Sequence, residues 1–253
     1  MATIQAEPAT PTARRVVKRR IFFGALGLFA VAVAATAFVP EYWRFAAGRF
    51  PIAPELHVHG ALMAAWLATF VLQVWLAASG RAALHRRLGP YGIALGVAVW
   101  ASMVFVSVRA VVAHPLPVDL SGYDEQLQDV YTDTTFIALL LWAAYERRRP
   151  AWHKRLMAMT LFVALGAPVE RLEWVPELGV GFIWASMIWL NLCLVVPLVA
   201  YDVVSAKRLH PATLLGLGLL FGAQALMWLA WGTDPWRRFA FDAVHALRAT
   251  FGP

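Results

Sequence analysis

The sequence predicts an all-α, polytopic membrane protein with seven transmembrane helices. Its N-terminus is expected inside and its C-terminus outside, with a four-helix core formed by spans two to five. Three observations carry that expectation. The 253 residues are 60% hydrophobic and only 15% charged, whereas a soluble domain carries about 25% charge, so the polar material is too sparse for a water-facing surface. The apolar residues gather into seven separate runs, most of them near the roughly 20 residues that a bilayer core requires. The basic residues fall on alternate connections between those runs. Together these exclude a soluble domain and a nucleic-acid partner. The net charge of +7 reports orientation in a bilayer instead. Cys193 is the single cysteine and sits in an apolar run, which excludes a disulfide framework or a cysteine-based metal knuckle within one chain.

Taken in order, residues 1–20 read as a disordered, basic cytoplasmic tail, and residues 21–231 as the membrane domain. The seven spans run over Ile21–Val39, His57–Ser79, Tyr91–Ala113, Val130–Tyr145, Leu156–Val169, Gly179–Val204 and Ala212–Trp231. Spans four and five are short and flanked by charge. Pro40, Pro90, Pro150 and Pro211 fall at the ends of runs, where helices stop or start, while Pro168 and Pro197 lie inside runs and are expected to kink them. Residues 232–253 mix Trp236, Phe239, Phe241, Val244 and Leu247 with Arg and Asp, the pattern of an amphipathic helix lying on the outer surface. With the N-terminus inside, the inner segments hold 15 basic residues against three acids, and the outer ones seven against 12. That asymmetry orients all seven spans.

Two inner connections resemble each other. ALHRRLG contains His85, Arg87 and Leu88, and AWHKRLM contains His153, Arg155 and Leu156. Spans two and three therefore read as a structural repeat of spans four and five, related by an axis along the membrane normal. The repeat sets His85 and His153 at one depth on opposite sides of that axis. Paired imidazoles across a bundle suit a haem iron, which takes histidine on both axial sides. Histidine and arginine at a helix start also suit lipid phosphate.

The outer end gathers a second set of polar residues. His57 and His59 open span two and point about 200° apart on a helix. The small-residue face beside His57 directs that ring between helices, toward His114 at the end of span three, and leaves His59 beside Glu55. Arg109, inside span three, needs a partner, and Asp133 comes first and Glu170 second by depth. His57, His59, His114 and Asp133 match the ligand types of a Zn, Fe or Mn site.

HVHGALMAAWLATFVLQVWLAASGRAALHRRLG, followed by RRRPAWHKRLM, resembles a broad group of bacterial inner-membrane proteins known chiefly as domains of unknown function. The resemblance covers roughly residues 51–172. The four-helix core with histidines at both faces is similar, more distantly, to cytochrome b561-like proteins. That likeness implies a bacterial inner-membrane location, b-type haem and electron transfer.

No G-x-S-x-G, P-loop, C-x-x-C or H-E-x-x-H motif is present. Three readings remain open. The first is a b-type haem protein with ligands drawn from His57, His59, His114, His85 and His153, and with a quinone as a candidate partner. The second is a metal-dependent membrane enzyme acting on a lipid-like substrate, with Asp133 or Glu170 as base. The third is a small transporter or an assembly partner of a membrane complex, holding no cofactor.

Overall fold

The computed structural model describes residues 11–113, 116, 119–172 and 182–252, with the backbone alone for 11–20, 182–184 and 186. The fold is all-α, and no strand occurs among the described residues. Ten α-helices follow one another: α1 (Pro11–Ala46), α2 (Pro54–Ala78), α3 (Ala82–Ala113), α4 (Gln126–Tyr145), α5 (Pro150–Ala164), α6 (Gly166–Glu170), α7 (Phe182–Leu190), α8 (Val196–Ala206), α9 (Pro211–Ala230) and α10 (Asp234–Phe251). A 3₁₀ turn (Leu120–Tyr123) precedes α4, and a π turn (Asn191–Val195) joins α7 to α8.

Among the described residues, five helices are long and apolar enough to cross a membrane: Ile21–Ala46, Pro54–Ala78, Ala82–Ala113, Met187–Ala206 and Pro211–Ala230. These five fit a polytopic membrane protein. The helices of the expected fourth and fifth spans are not among them. The first turns of α4 carry Gln126, Gln128, Asp129 and Asp133, and α5 is 15 residues long. The polar first turns of α4 and the shortness of α5 account for the difference. Both helices are nonetheless packed deeply on one side: Phe136, Leu139, Leu140 and Ala143 of α4 and Leu156, Leu161 and Leu165 in and beside α5 are fully buried, while Val130, Leu141 and Tyr145 of α4 are exposed.

The α4–α5 pair is the centre of the bundle. It packs against the α2–α3 pair on one side and against α1 and α9 on the others. The expected four-helix core is therefore only part of the apolar core, because Phe23, Leu26 and Ala30 of α1, Leu194 and Leu198 around α8, and Leu220 of α9 join it. Close crossings need glycine at Gly96, where a Cβ would meet Leu140 at 2.7 Å and Trp66 at 3.0 Å.

Several boundaries differ from the sequence expectation. α1 begins at Pro11, so residues 11–20 of the expected tail are helical. Pro40 and Pro90 lie inside α1 and α3 rather than at their ends. α5 stops at Ala164 and α6 resumes at Gly166, because Pro168 has no N–H to continue the ladder back to Ala164. Pro197 likewise lacks the donor that Cys193 would have received, and the chain widens into the π turn just before it. Pro150 and Pro211 open α5 and α9, as expected.

Cross-helix contacts define the two ends of the bundle. One end, here the histidine end, joins the starts of α3 and α5 to the α8–α9 turn and to Phe22 and Phe23 of α1. The opposite end, the carboxylate end, joins α1 to α2, α3 to α2, and α10 to the 3₁₀ turn. α10 carries Ala240 and Val244 buried on one face and Phe239 and Phe251 exposed on another, the amphipathic pattern expected for residues 232–253.

Candidate functional site

His85 and His153 meet. Their ring centroids lie 6.3 Å apart with the planes at 74°. Each stands in the first turn of the second helix of a hairpin, and each is tied back to the first helix. His85 Nδ1 donates to the carbonyl of Gln73 at 3.2 Å, and His153 Nδ1 donates to the carbonyl of Ala143 at 2.8 Å. A carbonyl only accepts, so Nδ1 carries a proton in both rings and the hydrogen bond leaves Nε2 uncommitted. The same contact in both hairpins is the sequence repeat expressed in three dimensions. Beside it, Gln73 buries its side-chain amide with neither polar atom hydrogen-bonded.

His85 and His153 are the two side chains at this end whose type and proximity would let them hold a metal or haem group. A histidine that ligates a metal donates its other ring N–H to a carbonyl or carboxylate, which fixes tautomer and orientation. Only a metal with the two rings on opposite sides would set their centroids this far apart, and an ordinary edge-on ring contact has the same separation.

Immediately beside the pair is a buried ionic network. Arg155, two residues after His153, donates from Nε to Asp202 Oδ1 at 2.9 Å and from a terminal nitrogen to the same oxygen. Their side chains are 5% and 0% exposed. The other carboxylate oxygen accepts from the Thr213 hydroxyl and from the His210 backbone N–H at 3.0 Å. Lys154 donates to the Tyr201 hydroxyl at 3.0 Å, and Trp152 packs edge-on against His210. His210 caps α9, its Nδ1 accepting from the Ala212 N–H at 3.1 Å. Burial, and then the Arg155 charge, hold the His210 imidazole below its ordinary pKa.

The chain matches no family model, no curated protein and no solved structure.

The carboxylate end is organised differently from expectation. Arg109 pairs with Glu55 at 3.4 Å, and not with Asp133 or Glu170; its side chain is 44% exposed. The one-helix distance between α3 and the start of α2 brings Glu55 within reach before any residue of α4. The two outer histidines also exchange roles. His57 lies beside Tyr42 and Phe45 of α1, 3.3 Å from the Tyr42 hydroxyl. His59 turns into the bundle and donates from Nδ1 to Ser102 Oγ at 2.9 Å, since the Ser102 hydroxyl gives its own proton to the Val99 carbonyl. Of the small residues beside His57, Gly60 meets the Tyr42 hydroxyl of α1, whereas Ala61 and Ala64 are exposed. His114 lies outside the described residues.

Asp133 follows Asp129 by one turn on α4, and Glu170 accepts from the Gln128 amide. His57, His59 and Asp133 do not converge, and no three His, Cys, Asp or Glu side chains among the described residues are grouped as a metal would need. On the 3₁₀ turn, the Ser121 hydroxyl and amide both donate to Asp119 and hold its carboxyl below the usual range. The sequence reading missed Asp202. It stands at the end of an apolar run, and only its pairing with Arg155 distinguishes it from an ordinary helix-end acid.

Proposed function

We propose that this chain is an integral membrane protein with seven spans, α4 and α5–α6 supplying the fourth and fifth, and that His85 and His153 would together hold one b-type haem near the cytoplasmic face. The carrying observation is the pair itself, two neighbouring imidazoles, each tied by Nδ1 to a carbonyl of the preceding helix, which leaves Nε2 of each ring uncommitted. The excess of basic residues on the connections at the same end supports its cytoplasmic placement. A haem bound there supplies one-electron transfer, with a quinone as the partner class that an apolar membrane site suits.

The chain's own residues do the rest. The Gln73 and Ala143 carbonyls would hold the two rings in fixed orientations toward such a group. The outer histidines are not part of this proposal, because His57 and His59 are directed to different neighbours.

The test is an absorption spectrum of the protein purified in detergent after expression with sufficient haem. The expected result is a reduced-minus-oxidised spectrum of low-spin b-type haem. His85→Ala and His153→Ala should each abolish it, whereas His57→Ala should leave it. Absence of haem from the unaltered protein, or its survival in both ligand variants, overturns the proposal.

A further inference from the structure

We infer that the buried Arg155–Asp202 pair is the positioning device for the His153 imidazole. The inference rests on the reading of His85 and His153 as the functional pair, but its test does not require bound haem.

Four consecutive residues at the start of α5 dock on different neighbours. Trp152 packs on Trp142 of α4 and on His210. His153 faces His85 and bonds the Ala143 carbonyl. Lys154 reaches Tyr201 of α8 and sits over Phe23 of α1 at 5.0 Å. Arg155 bonds Asp202 of α8, and its other terminal nitrogen donates to the Ala151 carbonyl at 2.8 Å. The start of this helix is therefore held from every side.

Residues two apart on a helix point about 200° from each other. Arg155 thus fastens the side of α5 opposite His153. Asp202 in turn receives protons from three sources: the guanidinium on α5, the Thr213 hydroxyl on α9 and the His210 amide of the α8–α9 turn. Any rotation of α5 that moved Arg155 would swing His153 by the same angle and break this set. Stability alone does not account for such a pair, because buried ion pairs are often no better than well-packed apolar side chains. A directional, fully satisfied network does fix a helix in one rotation, which apolar packing leaves looser.

The experiment uses the full chain with Cys193→Ser, His85→Cys and His153→Cys. A short bifunctional thiol reagent joins the two positions, and mass spectrometry of the joined peptides follows the rate. Into this background go Arg155→Met with Asp202→Leu, which replaces the pair by apolar side chains, and separately Thr213→Val, which leaves the pair but removes one of its hydrogen bonds. The paired replacement is expected to stay folded, and its cross-linking rate to fall about tenfold, since reacting groups displaced by 1 Å lose on the order of 100-fold. Thr213→Val should give a smaller fall in the same direction. Asp202→Glu, which keeps the charge, should cross-link faster than Asp202→Asn. Unchanged rates in the folded paired replacement overturn the inference. If that variant does not fold, an unchanged rate in Thr213→Val overturns it. Where the unaltered protein binds no haem, the ligand proposal fails by itself, and the cross-linking result still decides the positioning role.

Discussion

The two ends of the bundle solve the same problem in opposite ways. At the histidine end, one ion pair is buried and fully partnered: Asp202 is enclosed and accepts from three groups, and Arg155 is 4% exposed. At the carboxylate end, Arg109 and Glu55 meet at 3.4 Å with much of the guanidinium open, and Asp129 and Asp133 stand one turn apart with like charge. Burying a charge is tolerable only when it is paired and hydrogen-bonded. A buried, partnered charge pair such as Arg155–Asp202 therefore commits its helices to one geometry, and an exposed pair such as Arg109–Glu55 does not. The rigid end is where the imidazoles meet.

The largest expected effect breaks the comparison at its strongest point. Removing one partner of a buried pair costs about 3–5 kcal/mol, so Arg155→Ala or Asp202→Ala should lower the melting temperature in detergent sharply. Arg109→Ala removes an exposed contact and should leave the melting temperature nearly unchanged, because such pairs are screened and entropically costly. Comparable losses at Arg109 and Arg155 would mean that the two ends are not different in kind.

A smaller effect is expected at the one well-built contact of the carboxylate end. Asp124 is 3% exposed and accepts from Arg237 Nε at 3.0 Å, from its terminal nitrogen at 2.6 Å and from the Gly232 N–H at 3.2 Å. Trp236 Nε1 adds a bond to the Tyr123 carbonyl at 3.1 Å. The Asp124 carboxylate keeps the Arg237 guanidinium above its ordinary pKa, so this clamp has no pH weakness from the arginine. Asp124→Ala should loosen α10 alone. Amide hydrogen exchange should speed up over Asp234–Phe251 while protection of α4 and α5 stays the same. Loss of protection throughout would show that α10 is part of the core rather than a strapped-on surface helix.

Composition and periodicity made the helical class legible, and among the described residues they located the five helices long and apolar enough to cross a membrane. The HRRL and HKRL turns also pointed correctly to a repeated contact, since His85 and His153 occupy matching places in their hairpins. Two things were not legible. Helix rotation was one: the small face beside His57 signals close packing without saying which helix arrives, and α1 arrives rather than α3. Pairing across long separations was the other. Arg109 looked costly because it sits within an apolar run, yet it lies one turn from the helix end, where its side chain reaches water and Glu55. Arg155 looked ordinary among the basic residues of a loop, yet it is the buried one. Hydropathy reads depth along a helix and does not read which side of the helix is enclosed.

The smallest expected effect sharpens the comparison by pH. His210 caps α9 through an unprotonated Nδ1, and Arg155, Lys154 and Arg208 all oppose a positive charge on its ring, while Asp202 favours one. Burial and the cations prevail, so the folded pKa lies below the unfolded value of about 6.5. Between those two values the unfolded chain binds the extra proton. Stability contributed by this group is therefore complete above about pH 6.5 and is lost as the pH falls toward the folded pKa. Protonation also removes the acceptor that the Ala212 N–H requires, which ties the loss to the cap itself. Asparagine at the same position accepts the same N–H without titrating. Melting temperature measured between about pH 7 and 5.5 should accordingly fall more steeply for the unaltered protein than for His210→Asn, with the two nearly equal at the upper limit. Parallel slopes would place the acid sensitivity of the histidine end elsewhere. A steeper slope in His210→Asn would mean that the cap, rather than its titration, governs how the end responds to acid.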